Sequence, residues 1–161
     1  MADVFLPETG LDEHQHGVVA SGCFQHVMTM LDMASRSPAE DRFMLEVAEA
    51  SRLHSRFLSG AVDSARAAWL LSRVLVTLGR GEESLAMAEE CLAVVKAGRL
   101  GPLDEAFGLE AVARAQSTLG NVGASASARA DGESLAVQVD SDVDRERIRG
   151  HLATVSEARP H

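Results

Sequence analysis

Arg66, Trp69 and Arg73 recur at i, i+3 and i+7, so a helix would carry them on one side. Glu110 and Arg114 follow at i and i+4. Arginine donates through a planar fork that matches a carboxylate or another anion. A tryptophan beside it supplies an apolar wall. The expected site is a polar groove in which Arg66, Arg73 and Arg114 bind negative charge and Glu110 orients an arginine. The same residues read equally as a solvated helix edge, with Glu110–Arg114 an ordinary ion pair worth under about 1 kcal/mol. His54 falls on the apolar side of an earlier helical stretch. It is either a core histidine or a general base for a small-molecule enzyme, since an unperturbed imidazole titrates near pH 6.5.

A second set is Cys23, His26, Met30 and Met33, at i, i+3, i+7 and i+10, preceded by His14 and His16. Thiolate and thioether ligands suit Cu(I). Spread over nearly three turns, they converge on one ion only if a second helix contributes. Cysteine and methionine also pack as ordinary hydrophobes, and a methionine-bearing first helix would serve a structural homodimer. Cys91 stands among small residues, where burial leaves a thiol inert. The chain has no Gly-rich phosphate loop, no HExxH and no GxSxG. No cofactor is expected, and an enzyme would have to rest on the groove residues alone.

Charge excludes some partners. The formal net charge is −9 over 161 residues. A duplex carries one negative charge per roughly 1.7 Å of axis and would repel such a chain. The basic cluster Arg145, Arg147, Arg149 is interrupted by acids, and aromatics at 4% are too few for base stacking. Nucleic acid is rejected as a partner. The N-terminal stretch has acids where a signal peptide needs basic residues, and no run reaches the roughly 20 apolar residues of a membrane span. The expected location is the cytoplasm, where Cys23 and Cys91 stay thiols.

These residues need helices to position them. Residues 1–16 are polar and aperiodic and read as a flexible arm before a single domain over 17–161. Val19, Cys23, Val27, Met30 and Ala34 mark a first helix over 17–35. Ser37-Pro38-Ala39-Glu40 is a capping box with proline at the first helical position, opening a second helix that runs to about residue 58. Its expected stripe is Phe43, Val47, Ala50, His54 and Phe57. A third helix over 62–78 is apolar nearly all round and so buried on most sides. Gly79-Arg80-Gly81 ends it. Helices over 82–98 and 103–119 follow, then a weaker one over 122–139 whose glycines lower its helicity. Ser141 or Asp142 starts a terminal helix with the stripe Ile148, Leu152, Val155.

Two stretches repeat. Arg73, Thr77, Leu78, Gly79 and Ser84 recur as Arg114, Thr118, Leu119, Gly120 and Ser125, each 41 residues later. Fixed periods of 20–50 residues signal stacked helical units. The first copy, Leu71-Ser72…Leu75…Leu78-Gly79-Arg80…Glu82-Glu83-Ser84-Leu85…Ala88…Cys91, resembles the tetratricopeptide repeat. Its usual period is 34 residues. The excess is about one turn in each helix, which implies long hairpins. In the second copy Arg129 and Gly132 depart from the pattern. Residues 44–157 also resemble a bacterial family of this length, through Ala50-Ser51-Arg52-Leu53-His54, Ala65-Arg66…Trp69-Leu70-Leu71-Ser72-Arg73-Val74 and Asp104-Glu105-Ala106-Phe107…Glu110-Ala111-Val112-Ala113-Arg114-Ala115. That resemblance implies fold and no particular activity.

The expected architecture is all-α: antiparallel helical hairpins stacked as a short tetratricopeptide-like solenoid with a C-terminal capping helix. The first helix of each pair would line a concave groove for a protein, a peptide or a small anionic ligand. An open groove favours a partner protein, and a deep cavity favours a small ligand or an enzyme.

Overall fold

The computed structural model describes residues 9–155. Seven helices follow in order: α1 Glu13–Leu31, α2 Pro38–Ser55, α3 Ala61–Thr77, α4 Gly81–Ala97, α5 Pro102–Thr118, α6 Val122–Ala136 and α7 Asp142–Ala153. There is no strand among the described residues. Consecutive helices pack against one another as antiparallel hairpins. The odd-numbered helices also touch in a row, α1 on α3, α3 on α5 and α5 on α7. The chain is thus an all-α helical-repeat arrangement. None of its described helices is long and apolar enough to cross a membrane.

Helix ends follow local chemistry. Ser37 Oγ accepts from the Glu40 amide and the Glu40 carboxylate accepts from the Ser37 amide, the capping box expected for α2. Gly79 and Gly120 take φ of +72° and +77° after α3 and α5. At each, the amide one residue on reaches back five residues: Arg80 N donates to Leu75 O at 2.8 Å and Asn121 N to Gln116 O at 2.9 Å. This is the same C-terminal motif in both repeats, and it requires the left-handed conformation that glycine adopts without strain.

The arm is shorter than expected. Residues 13–16 form the first turn of α1, because Asp12 and Gln15 make a second capping box: Gln15 N donates to Asp12 Oδ1 at 2.8 Å and Asp12 N to Gln15 Oε1 at 2.9 Å. The first eight residues of that arm lie outside those described.

The stripes of α1 and α2 also differ. Val19 and Phe43 are exposed, at 36% and 50%. The buried positions are His16, Ala20, Val27 and Met30 on α1, and Met44, Ala48, Ser51 and Ser55 on α2. Small residues win there because they let the helices approach, and Ser51 Oγ then donates to the Ala20 carbonyl at 2.9 Å. The same device joins each later hairpin. Ser72 and Ser84 exchange hydroxyl-to-carbonyl bonds of 3.0 and 2.9 Å, and Ser125 Oγ donates to Ala113 O at 2.8 Å, both across 12 residues.

The core centres on α3, which is buried on most sides as expected. Leu70, Val74 and Leu75 meet Val27, Met44, Ala88 and Val95 there. In α6 the buried stripe is Ser125, Ala128, Gly132 and Ala136. It turns Arg129 out to Glu133, 3.6 Å away, which accommodates the departure in the second copy. Ile148 and Leu152 of α7 close the far end against Ala106 and Ala136.

Candidate functional site

The two repeats bring their equivalent residues into contact. Trp69 and Glu110 are 41 residues apart and bond directly, Nε1 donating to Oε2 at 2.8 Å. Arg73 Nη1 donates to Glu110 Oε1 at 3.0 Å, and Arg114 Nε donates to the same oxygen. Glu110 has no exposed surface. A buried carboxylate is costly unless paired and hydrogen-bonded. Three donors, two of them cationic, meet that requirement. Burial pulls the Arg73 guanidinium below its usual value, with Glu110 opposing and Arg114 adding to the effect. An arginine so shifted still carries its charge at neutral pH.

Arg114 has a second task. It donates to the carbonyls of His151 at 2.7 Å and Thr154 at 3.2 Å, and to the Thr154 hydroxyl. These are the last carbonyls of α7, where a cation also complements the helix dipole. Of the residues expected to form a groove site, Trp69, Arg73, Glu110 and Arg114 are therefore one cluster, and its two arginines are engaged within the chain.

Arg66 stands apart from that cluster, one turn before Trp69. It is exposed, and it has no ion-pair or hydrogen-bond partner among the described residues. It lines a half-open pocket of ≈ 260 Å³ where α1, α3, α5 and α7 meet. That is just under the roughly 300–1,000 Å³ of sites for drug-sized ligands.

The wall of this pocket is aromatic. Trp69, Phe107 and His151 meet edge to face, with ring centres 5.3–5.5 Å apart. Phe24 lies 6.3 Å from Trp69. Arg147 sits over the Phe107 ring at 5.6 Å and pairs with Asp144 at 2.8 Å. Cys91 reaches the floor. Its burial, with Asp104 and Glu110 nearby, pushes the thiol up to about 12, so it stays protonated at neutral pH.

Sequence reasoning missed His151. It follows Ile148 by one turn and so borders the apolar stripe of α7, the one signal available. Burial lowers its pKa; Glu110 opposes this, while Arg73, Arg114 and Arg147 reinforce it. The neutral ring presents Nδ1 to Arg73 Nη1 at 3.4 Å.

His54 is elsewhere. Its Nδ1 faces the Nδ1 of His16 at 2.9 Å, and His16 stacks on Phe57 with centres 3.9 Å apart. Desolvation and His16 both lower the His54 pKa. His54 is not among the residues lining the pocket.

The Cys23, His26, Met30 set does not converge. Met30 is buried in the core, whereas His26 is exposed and edge-on to Phe43 at 5.7 Å. Among the described residues no group of three or more His, Cys, Asp or Glu side chains could hold a metal ion.

A comparison of the chain with protein families, with curated proteins and with solved structures finds no match.

Proposed function

We propose that the protein is a ligand-binding module of long tetratricopeptide-like hairpins, whose inner groove receives a small carboxylate with an apolar body. The observation that carries this reading is Arg66, an exposed cation with no partner among the described residues, lining an aromatic pocket. Trp69 and Phe107 are the apolar wall, and Arg66 is the anion partner. Arg73, Glu110 and Arg114 hold α3, α5 and α7 in register around the pocket. With Glu110 offset by two arginines, the inner cluster is net positive, while Asp104 adds a negative charge to the pocket lining, so the carboxylate is directed to Arg66. Both cysteines are free thiols, which supports a cytoplasmic setting.

Trp69 is the only tryptophan in the chain, so its fluorescence reports on the pocket. Titration with 3-phenylpropionate is expected to give a saturable change. Arg66→Ala is expected to weaken it about tenfold or more, since a hydrogen bond to a charged group contributes about 1.5–3 kcal/mol. Equal binding by wild type and Arg66→Ala, or no saturable change in either, would overturn the proposal.

A further inference from the structure

Arg66 borders more than one space. A second space of ≈ 320 Å³ lies between α1, α2 and α3, and Phe24, Gln25 and Arg66 line both. Its character is different. Ser21, Gln25 and Asp63 are among its walls, and the aromatic trio of the first pocket is absent. Asp63 stands three residues before Arg66 on α3, so both charges are on one side of that helix, one turn apart.

Asp63 stands in the first turn of α3, where its charge complements the helix dipole, and Arg66 is exposed. Among the described residues Asp63 and Arg66 have no ion-pair or hydrogen-bond partner, and they do not bridge to each other. Opposite charges at i, i+3 on a helix are close enough to pair. Here a pocket lies against both instead. The order along α3 is Asp63, Arg66, Trp69, which places an anion, a cation and an aromatic wall within six residues. That is about 9 Å of helix axis at 1.5 Å per residue.

We infer that the ligand is a free α-amino acid with a large apolar side chain, an inference that rests on the groove reading above. Its α-carboxylate pairs with Arg66, its α-ammonium with Asp63, and its side chain enters the pocket walled by Phe24, Trp69 and Phe107. An α-amino acid carries both charges on groups bonded to a single carbon, which suits two counter-charges one helical turn apart. A residue inside a peptide carries neither charge at its α-carbon, and a chain terminus carries only one. The free zwitterion uses all three features.

Isothermal titration separates this inference from the reading beneath it. The probes are L-phenylalanine, 3-phenylpropionate, which lacks the ammonium, and glycine, which lacks the side chain. The proteins are the wild type and Asp63→Asn, with circular dichroism confirming that the variant melts as the wild type does. L-phenylalanine is expected to bind about tenfold more tightly than 3-phenylpropionate, and glycine not measurably. Asp63→Asn is expected to remove that margin while leaving 3-phenylpropionate unchanged. Equal affinity of the wild type for L-phenylalanine and 3-phenylpropionate overturns the amino-acid inference and leaves the carboxylate site standing. So does an Asp63→Asn protein that keeps the full margin. Failure of every probe overturns both.

Discussion

Trp69 and Glu110 occupy the same place in successive repeats, and the indole of one donates to the buried carboxylate of the other at 2.8 Å. The bond ties α3 to α5 at the level of the pocket. It also makes Glu110 the acceptor for two arginines. Replacing it as Glu110→Gln removes the charge that Arg73 and Arg114 neutralise. Breaking a buried ion pair from one side costs about 3–5 kcal/mol, a large share of the stability of a domain. The unfolding free energy from urea titration is expected to fall by that amount, with a lower midpoint. Arg73→Ala is expected to shift it in the same direction, because Arg73 serves the carboxylate. An unchanged midpoint in both would mean that the cluster does not support the fold.

Arg114 is expected to govern α7. That helix is joined to the rest through Ile148, Leu152 and Val155 and through the arginine on its last carbonyls. Arg114→Ala removes the carbonyl bonds and one of the two cations on Glu110. Amide exchange in residues 142–153 is expected to speed up well before exchange in α3 does. Uniform acceleration along the chain would show that α7 does not open as a separate unit.

Acid is expected to weaken the fold through His54 and His151. Both pKa values lie below the ordinary 6.5 in the folded chain. As pH falls below about 6.5, the unfolded chain takes up protons that the folded chain resists, so stability falls with pH. Glu13, Glu40 and Glu83 are shifted below their ordinary 4.5, so their contributions are lost only under more acidic conditions. The window between about pH 6.5 and 4.5 therefore isolates the histidines. Urea midpoints are expected to drop between pH 7.5 and 5.5, and His151→Gln to flatten part of that slope. A midpoint that rises on acidification would contradict these environments.

The two thiols are expected to differ. Cys23 is half-buried and only raised, whereas Cys91 is buried and pushed to about 12. A disulfide reagent at pH 8 should label one cysteine in the native protein and the second only on unfolding, since the thiolate is the reacting species. Two fast equivalents would mean that the pocket floor is open to solvent.

Much of this architecture was legible because its signals are local. Ser37-Pro38…Glu40, Gly79 and Gly120 each mark a helix end through their own backbone chemistry. The start of α1 was hidden, because the Asp12–Gln15 box stands in a polar stretch with no apolar period. Phe43 and Val19 attracted the reading of the buried stripes, yet close helix approach buries Ala48, Ser51 and Ser55 instead. The 41-residue offset matched Arg73 with Arg114, and the Trp69–Glu110 contact has the same spacing. It did not reveal that the arginines turn inward to the carboxylate and to α7, since a guanidinium's direction depends on helices that stack later in the chain. His151 lies 78 residues from Arg73, beyond any local pattern.

Under the proposed function Arg66, and not the buried arginine pair, meets the ligand beside Trp69. The most direct measurement is the single indole N–H resonance of the nitrogen-15-labelled protein during titration with 3-phenylpropionate. The resonance is expected to move and saturate in the wild type, and in Arg66→Ala only at about tenfold higher ligand concentration or more, with the variant's ligand-free spectrum otherwise unchanged. An indole that moves equally in both proteins, or in neither, would contradict the account.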